Sequence, residues 1–107
     1  MSGRETGGKF APTAIRVRAI RRASIAPTRK GFADFLGITV SRLSNVENGF
    51  PLGRDLQNKI VEKCPWVSRS YLVDGDEASL TGATLQRLLP FVAEESDTTV
   101  PRSRSKG

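Results

Sequence analysis

Residues 28–49 read Thr28-Arg-Lys-Gly-Phe-Ala-Asp-Phe-Leu-Gly-Ile-Thr-Val-Ser-Arg-Leu-Ser-Asn-Val-Glu-Asn-Gly49. Thr28 is a good N-cap, and Phe32, Ala33 and Leu36 follow at i, i+1 and i+4, so a helix is expected over residues 29–36. Gly37 supplies the left-handed residue that stops a helix at once. Ile38 follows, Thr39 can cap again, and a second helix is expected from Val40 to Asn48. At 100° per residue this helix turns Leu43 and Val46 to one side, and Ser41, Ser44, Asn45 and Asn48 to the other. Asn48-Gly49 ends it and Pro51 prevents its continuation. One residue breaks the local rules. Gly31, inside the first of these helices, costs about 1 kcal/mol relative to Ala, for which a close backbone approach would be a reason.

On the N-terminal side, Thr13 to Ala23 forms a helical pattern in which Val17, Ile20 and either Ile15 or Ser24 share a face. Arg16, Arg18, Arg21 and Arg22 surround the rest, and Pro27 closes the segment. On the C-terminal side, a helix from about Gly53 to Cys64 buries Leu56, Ile60 and Val61. Ser68 caps a short helix carrying Tyr71 and Leu72, closed by Asp74-Gly75. A last apolar stripe, Leu85, Leu88, Leu89 and Val92, has helical spacing, with Pro90 interrupting it. No period-2 strand pattern and no internal repeat appears. The expected fold class is all-α, with five short helices around Phe32, Ala33, Leu36, Ile38, Leu43, Val46, Leu56, Ile60 and Leu72, and a short C-terminal helical extension. Residues 1–12 read as a flexible basic arm, 13–77 as the domain, 78–97 as the extension and 98–107 as a disordered basic tail.

Composition narrows the chemistry. The chain has 107 residues, 17 Lys+Arg against 11 Asp+Glu, one Cys and no His. The length suits one domain with tails. Without His the commonest general base and metal ligand is gone, and a single Cys excludes an intrachain disulfide and multi-cysteine zinc sites. The serines have no His or activated Lys partner, so no enzyme, metal or cofactor is expected. Asp74, Asp76 and Glu77 lack calcium-loop spacing and read as a solvated turn, and Cys64, Trp66 and Tyr71 read as packing residues. No apolar run reaches the roughly 18 residues of a membrane span, and residues 1–8 have no apolar stretch of a secretory signal, so a cytoplasmic protein is expected. The net charge of +6 is uneven: +7 over residues 1–30, +1 over 31–73, −5 over 74–97 and +3 over the last ten. Such a dipolar chain suits orientation on a polyanion.

Two short helices meeting at a Gly-centred turn, the second with a small polar face, make a helix-turn-helix, in which the second helix enters the major groove of DNA. Over residues 13–75 the chain resembles the phage-repressor/Cro type of helix-turn-helix domain, the Xre family. Phe32-Ala33, Leu36-Gly37-Ile38-Thr39, Leu43-Ser44, Val46-Glu47-Asn48-Gly49, the Leu56/Ile60 helix and Ser68-x-x-Tyr71-Leu72-x-x-Gly75 carry the resemblance. It implies a five-helix lambda-repressor-like domain and a sequence-specific transcriptional regulator whose partner is a double-stranded DNA operator. It implies a phosphate grip at Arg29, where the family often has Gln, base reading at Val40, Ser41, Ser44 and Asn45, and a backbone contact at Asn48. Arg42 lies beside the base readers and reaches a base edge or a phosphate. Thr28, Lys30 and Thr39 are assigned to the DNA backbone with Arg29 and Asn48. Glu47 is implied to pair with an arginine of the first helix, either Arg21 or Arg22. Val40 stands where a polar reader is usual, and either meets a thymine methyl or only starts the helix.

A rival reading keeps the fold and drops DNA: a protein-interaction module, antiactivator or antitoxin-like. The Ser/Asn face, Arg29 and the basic first helix argue against it. Repressors of this type commonly bind as two-fold dimers. Leu85, Leu88, Leu89, Phe91 and Val92 are too apolar a set to leave in water. Residues 80–93 therefore either fold back on their own domain or meet the same segment of a second chain.

Overall fold

The structure, a computed structural model, describes residues 11–98. The expected arm, apart from Ala11 and Pro12, and the expected tail, apart from Thr98, lie outside the described residues. Among the described residues there are six α-helices: α1 (Ala11–Ala23), α2 (Arg29–Leu36), α3 (Val40–Glu47), α4 (Arg54–Lys63), α5 (Arg69–Asp74) and α6 (Gly82–Thr98), with a 3-10 turn at Glu77–Ser79. No strand occurs among the described residues. The described residues are all-helical, and α1 begins two residues before the expected Thr13.

Side-chain caps at the expected residues start three of the helices. Thr28 Oγ1 accepts from the Gly31 N–H (3.0 Å), Thr39 Oγ1 from Arg42 (3.1 Å) and Ser68 Oγ from Tyr71 (2.9 Å). Each satisfies a backbone donor that the helix leaves unpaired. Gly37 and Gly75 sit at φ 78° and 76° and stop α2 and α5. Arg42 and Tyr71 donate to the same kind of cap while carrying a Cβ, so the cap does not by itself require glycine at Gly31, though the fit there is close. A Cβ there would lie 2.8 Å from Thr28 Oγ1, the atom that caps the helix. In Gly31→Ala, the ordinary gain of about 1 kcal/mol from a better helix former should be offset by a disturbed cap of similar worth. Urea unfolding should show no net stabilisation, and a full gain would mean the cap has room to spare.

The core joins all six helices. Val17, Ile20, Phe32, Ala33, Leu36, Leu43, Val46, Leu56, Ile60, Leu72 and Leu88 are buried, and Ile38 packs half-buried against them. Leu88 corrects the expectation that the chain after Gly75 stands outside the core: it is 0% exposed. Rather than a short extension, α6 is the longest helix, and it packs along α1. The expected interruption at Pro90 is absent too, since α6 runs through it. A proline removes one backbone donor and crowds the preceding turn, at a local cost of about 3 kcal/mol. Leu80, Phe91 and Val92 packed on the core beside Leu88 supply the compensating contacts. Residues 80–93 thus fold back on their own domain, leaving Leu89 exposed.

The same packing redistributes the charge. Arg18 pairs with Glu95 (3.5 Å), while Arg22 pairs with Glu94 (2.6 Å) and Glu95 (2.9 Å) and lies over the Phe91 ring. The Glu94 hydrogen bond raises the Arg22 pKa. Arg16 turns to the end of α5, donating to the carbonyls of Leu72 (3.1 Å) and Val73 (2.9 Å), and burial pulls its pKa down. Arg18 and Arg22 of the basic front therefore lie against Glu94 and Glu95 of the acidic back, which shrinks the dipole anticipated from the linear charge pattern.

Candidate nucleic-acid interface

α3 presents its polar residues outward because its apolar ones are consumed by the core. Leu43, Val46 and Glu47 are buried; Val40, Ser41, Arg42 and Asn45 are exposed, and Ser44 is half-buried. Asn48, just past the helix end, is exposed as well. Among the described residues, the side chains of Ser41, Ser44, Asn45 and Asn48 take no hydrogen bond within the chain. Their four polar groups are available to a partner. Arg42 makes one solvent-exposed pair, Nη2 to Asp55 Oδ2 at 3.2 Å. Such a pair is worth at most about 1 kcal/mol and is readily exchanged.

Glu47 is the buried charge of the site, with 0% exposure. One carboxylate oxygen accepts from Arg21 Nε (2.8 Å) and the other from Arg29 Nε (2.9 Å). Arg21 also donates to the Pro27 carbonyl. Of the two arginines left open by the sequence, Arg21 is thus the partner, while Arg22 turns to α6. The second partner, Arg29, was expected only as a phosphate grip. Its Nε is committed to Glu47, yet its side chain is still partly exposed, and its Nη nitrogens have no partner among the described residues. The network ties the end of α3 to α1, to the loop before α2 and to the first residue of α2.

The other expected backbone residues frame α2 and α3. Thr28 and Thr39 each accept a backbone N–H, which leaves each hydroxyl hydrogen free to donate. Lys30 is exposed and, among the described residues, pairs with Asp34 across one turn (3.3 Å). The four arginines of α1, by contrast, are engaged within the chain and are not part of this surface. Phe50 was missed by the sequence reading: it is exposed directly beyond α3, beside a groove of about 300 Å³ that Arg42 and Asn45 also line. A polar Ser44-Asn45 pair ahead of Gly49-Phe50 was the available signal, because it leaves the ring nothing apolar to cover.

Away from this face, Cys64 is buried and its thiol is pushed up by burial to about 11, so at neutral pH it is a packed side chain. Tyr71 is buried, and Trp66 is half-buried with the Arg87 guanidinium 5.5 Å over its ring. Among the described residues, no helix is long and apolar enough to cross a membrane. In comparisons with known proteins, no family, curated protein or solved structure matches this chain.

Proposed function

We propose that the chain is a sequence-specific, double-stranded DNA-binding regulator of transcription, acting in the cytoplasm by binding rather than catalysis. In this reading α1–α5 form a repressor-like helix-turn-helix domain of the Xre type, and α6 is built onto its α1 side. The observation that carries it is the outward face of α3: a row of Ser and Asn side chains with no hydrogen bond among the described residues, beside Arg42 in a single exposed pair with Asp55, on a helix braced at its end by a buried ion network. α3 lies in the major groove, where Asn45 suits the paired donor and acceptor of adenine, Arg42 the two acceptors of guanine, and Val40 a thymine methyl. Ser41 and Ser44 add single hydrogen bonds. The Thr28 and Thr39 hydroxyls, Lys30, Asn48 and the Nη atoms of Arg29 hold phosphates and set the register.

Selection of bound duplexes from random DNA at a stated salt concentration tests the proposal. With the selected duplex, Arg29→Ala should weaken binding to all duplexes alike and reduce the salt slope by about one unit. Asn45→Ala should weaken the selected site in particular, by about 1–3 kcal/mol. A folded chain that enriches no sequence would favour the protein-interaction reading, which the internal use of the α1 arginines supports.

A further inference from the structure

α3 ends in a turn that leaves one aromatic ring outside the core. The Gly49 N–H donates to the Val46 carbonyl (3.1 Å) and the Phe50 N–H to the Asn45 carbonyl (3.0 Å), with Gly49 at φ 103°. In this kind of helix stop, the residue after the left-handed glycine commonly packs its side chain back on the last helical turns. α2 follows that habit. The Ile38 N–H bonds to the Ala33 carbonyl (2.9 Å), and the Ile38 side chain packs half-buried on the core. α3 makes the same hydrogen bonds but offers Asn45 and Ser44 where the apolar partner belongs. Phe50 accordingly stays 58% exposed, the one exposed aromatic ring among the described residues. It is nevertheless held: two hydrogen bonds close the turn before it and Pro51 fixes the next φ, so little backbone freedom is left to lose on docking.

The surroundings bear on what the ring would meet. The groove beside the ring is lined by Arg42, Asn45, Phe50, Pro51 and Gly53 among others, and no acid lines it. Arg42 and Asn45 belong to the outward face of α3, so the ring continues the proposed interface. Arg54, at the start of α4, adds an exposed cation close by in the chain. Asp55 pairs with Arg42 beside the groove (3.2 Å), and the two cations Arg42 and Arg54 outnumber it. An aromatic ring in such a net-cationic setting suits a polyanion that also has apolar patches. Phe50 follows the last turn of α3, after the positions assigned to bases, where a helix leaving the groove meets the strand bordering it.

We infer that Phe50 is a DNA-contacting residue of the α3–α4 turn, laid against the sugar–phosphate strand, its ring covering the C–H face of a deoxyribose. The inference rests on the DNA-binding reading above. A contact of this kind sees no base and releases no counterion. It therefore has a signature distinct from both the phosphate and the base contacts.

The test compares the full chain with Phe50→Ala and Phe50→Gln, on the duplex selected by the unaltered chain and on a scrambled duplex, across a salt series. Both variants should bind both duplexes about 10-fold more weakly, with an unchanged salt slope and an unchanged ratio between duplexes. Phe50→Gln keeps length while removing the apolar face, so it reports on the contact even if the alanine variant is poorly folded. Unchanged affinity overturns the inference. So does a reduced slope, which marks an ionic role, or a loss confined to the selected duplex, which marks a base contact. An unaltered chain that binds no duplex defeats the DNA reading itself; failure of this inference alone leaves that chain binding, with one of those three outcomes in the variants.

Discussion

Glu47→Leu should destabilise the fold by about 3–5 kcal/mol, the usual cost of removing one partner from a buried ion network. The leucine fills much of the volume but strands Arg21, which is largely buried and keeps only the Pro27 carbonyl. Arg29 is more exposed and recovers water, which places the effect toward the lower end of that range. Glu47→Gln, which keeps an acceptor oxygen and the shape, should cost less. Urea unfolding reads both, with a shifted midpoint at unchanged slope. A loss below about 1 kcal/mol for Glu47→Leu would show that packing alone holds α3 in place.

Ending the chain at Gly75 should cost more still. α6 covers α1 through Leu88, with Leu80, Phe91 and Val92 around it, and its two glutamates meet Arg18 and Arg22. Leu88→Ala alone should lower stability by about 2–5 kcal/mol, since the site is fully enclosed. Removing the helix exposes the whole seam and leaves the guanidiniums without their anions. Thermal unfolding of the shortened chain, followed by circular dichroism, should show a broad transition at much lower temperature, or none. A midpoint equal to that of the full chain would establish that α1–α5 are self-sufficient.

Much of the helical layout was legible because its punctuation is local. Thr28, Thr39 and Ser68 cap where a hydroxyl precedes a helical pattern, and Gly37 and Gly75 stop helices where only a left-handed residue will do. What remained illegible depended on contacts between distant residues. The stripe at Leu85–Val92 announces a need for cover but not what covers it. Pro90 reads as a break until the packing around it is known. Arg21 and Arg22 are neighbours about 100° apart on α1, so only the rotation of that helix in the fold decides which meets Glu47 and which meets α6. Of the candidate site, the outward set on α3 follows from periodicity. The second role of Arg29 and the exposure of Phe50 do not, because each is set by a partner in another segment or by the lack of one.

The division of labour along α3 has a consequence for how such a protein can change. Leu43, Val46 and Glu47 hold the helix, and none of them is exposed; Ser41, Ser44 and Asn45 are not needed to hold it. The two sets alternate along eight residues and do not overlap. Rewriting the outer set leaves the inner one intact, so, under the proposed DNA-binding function, a new recognition preference is reachable by a few substitutions without passing through an unfolded intermediate. The scaffold is in this sense an interchangeable holder, with its vocabulary carried on positions that stability does not police.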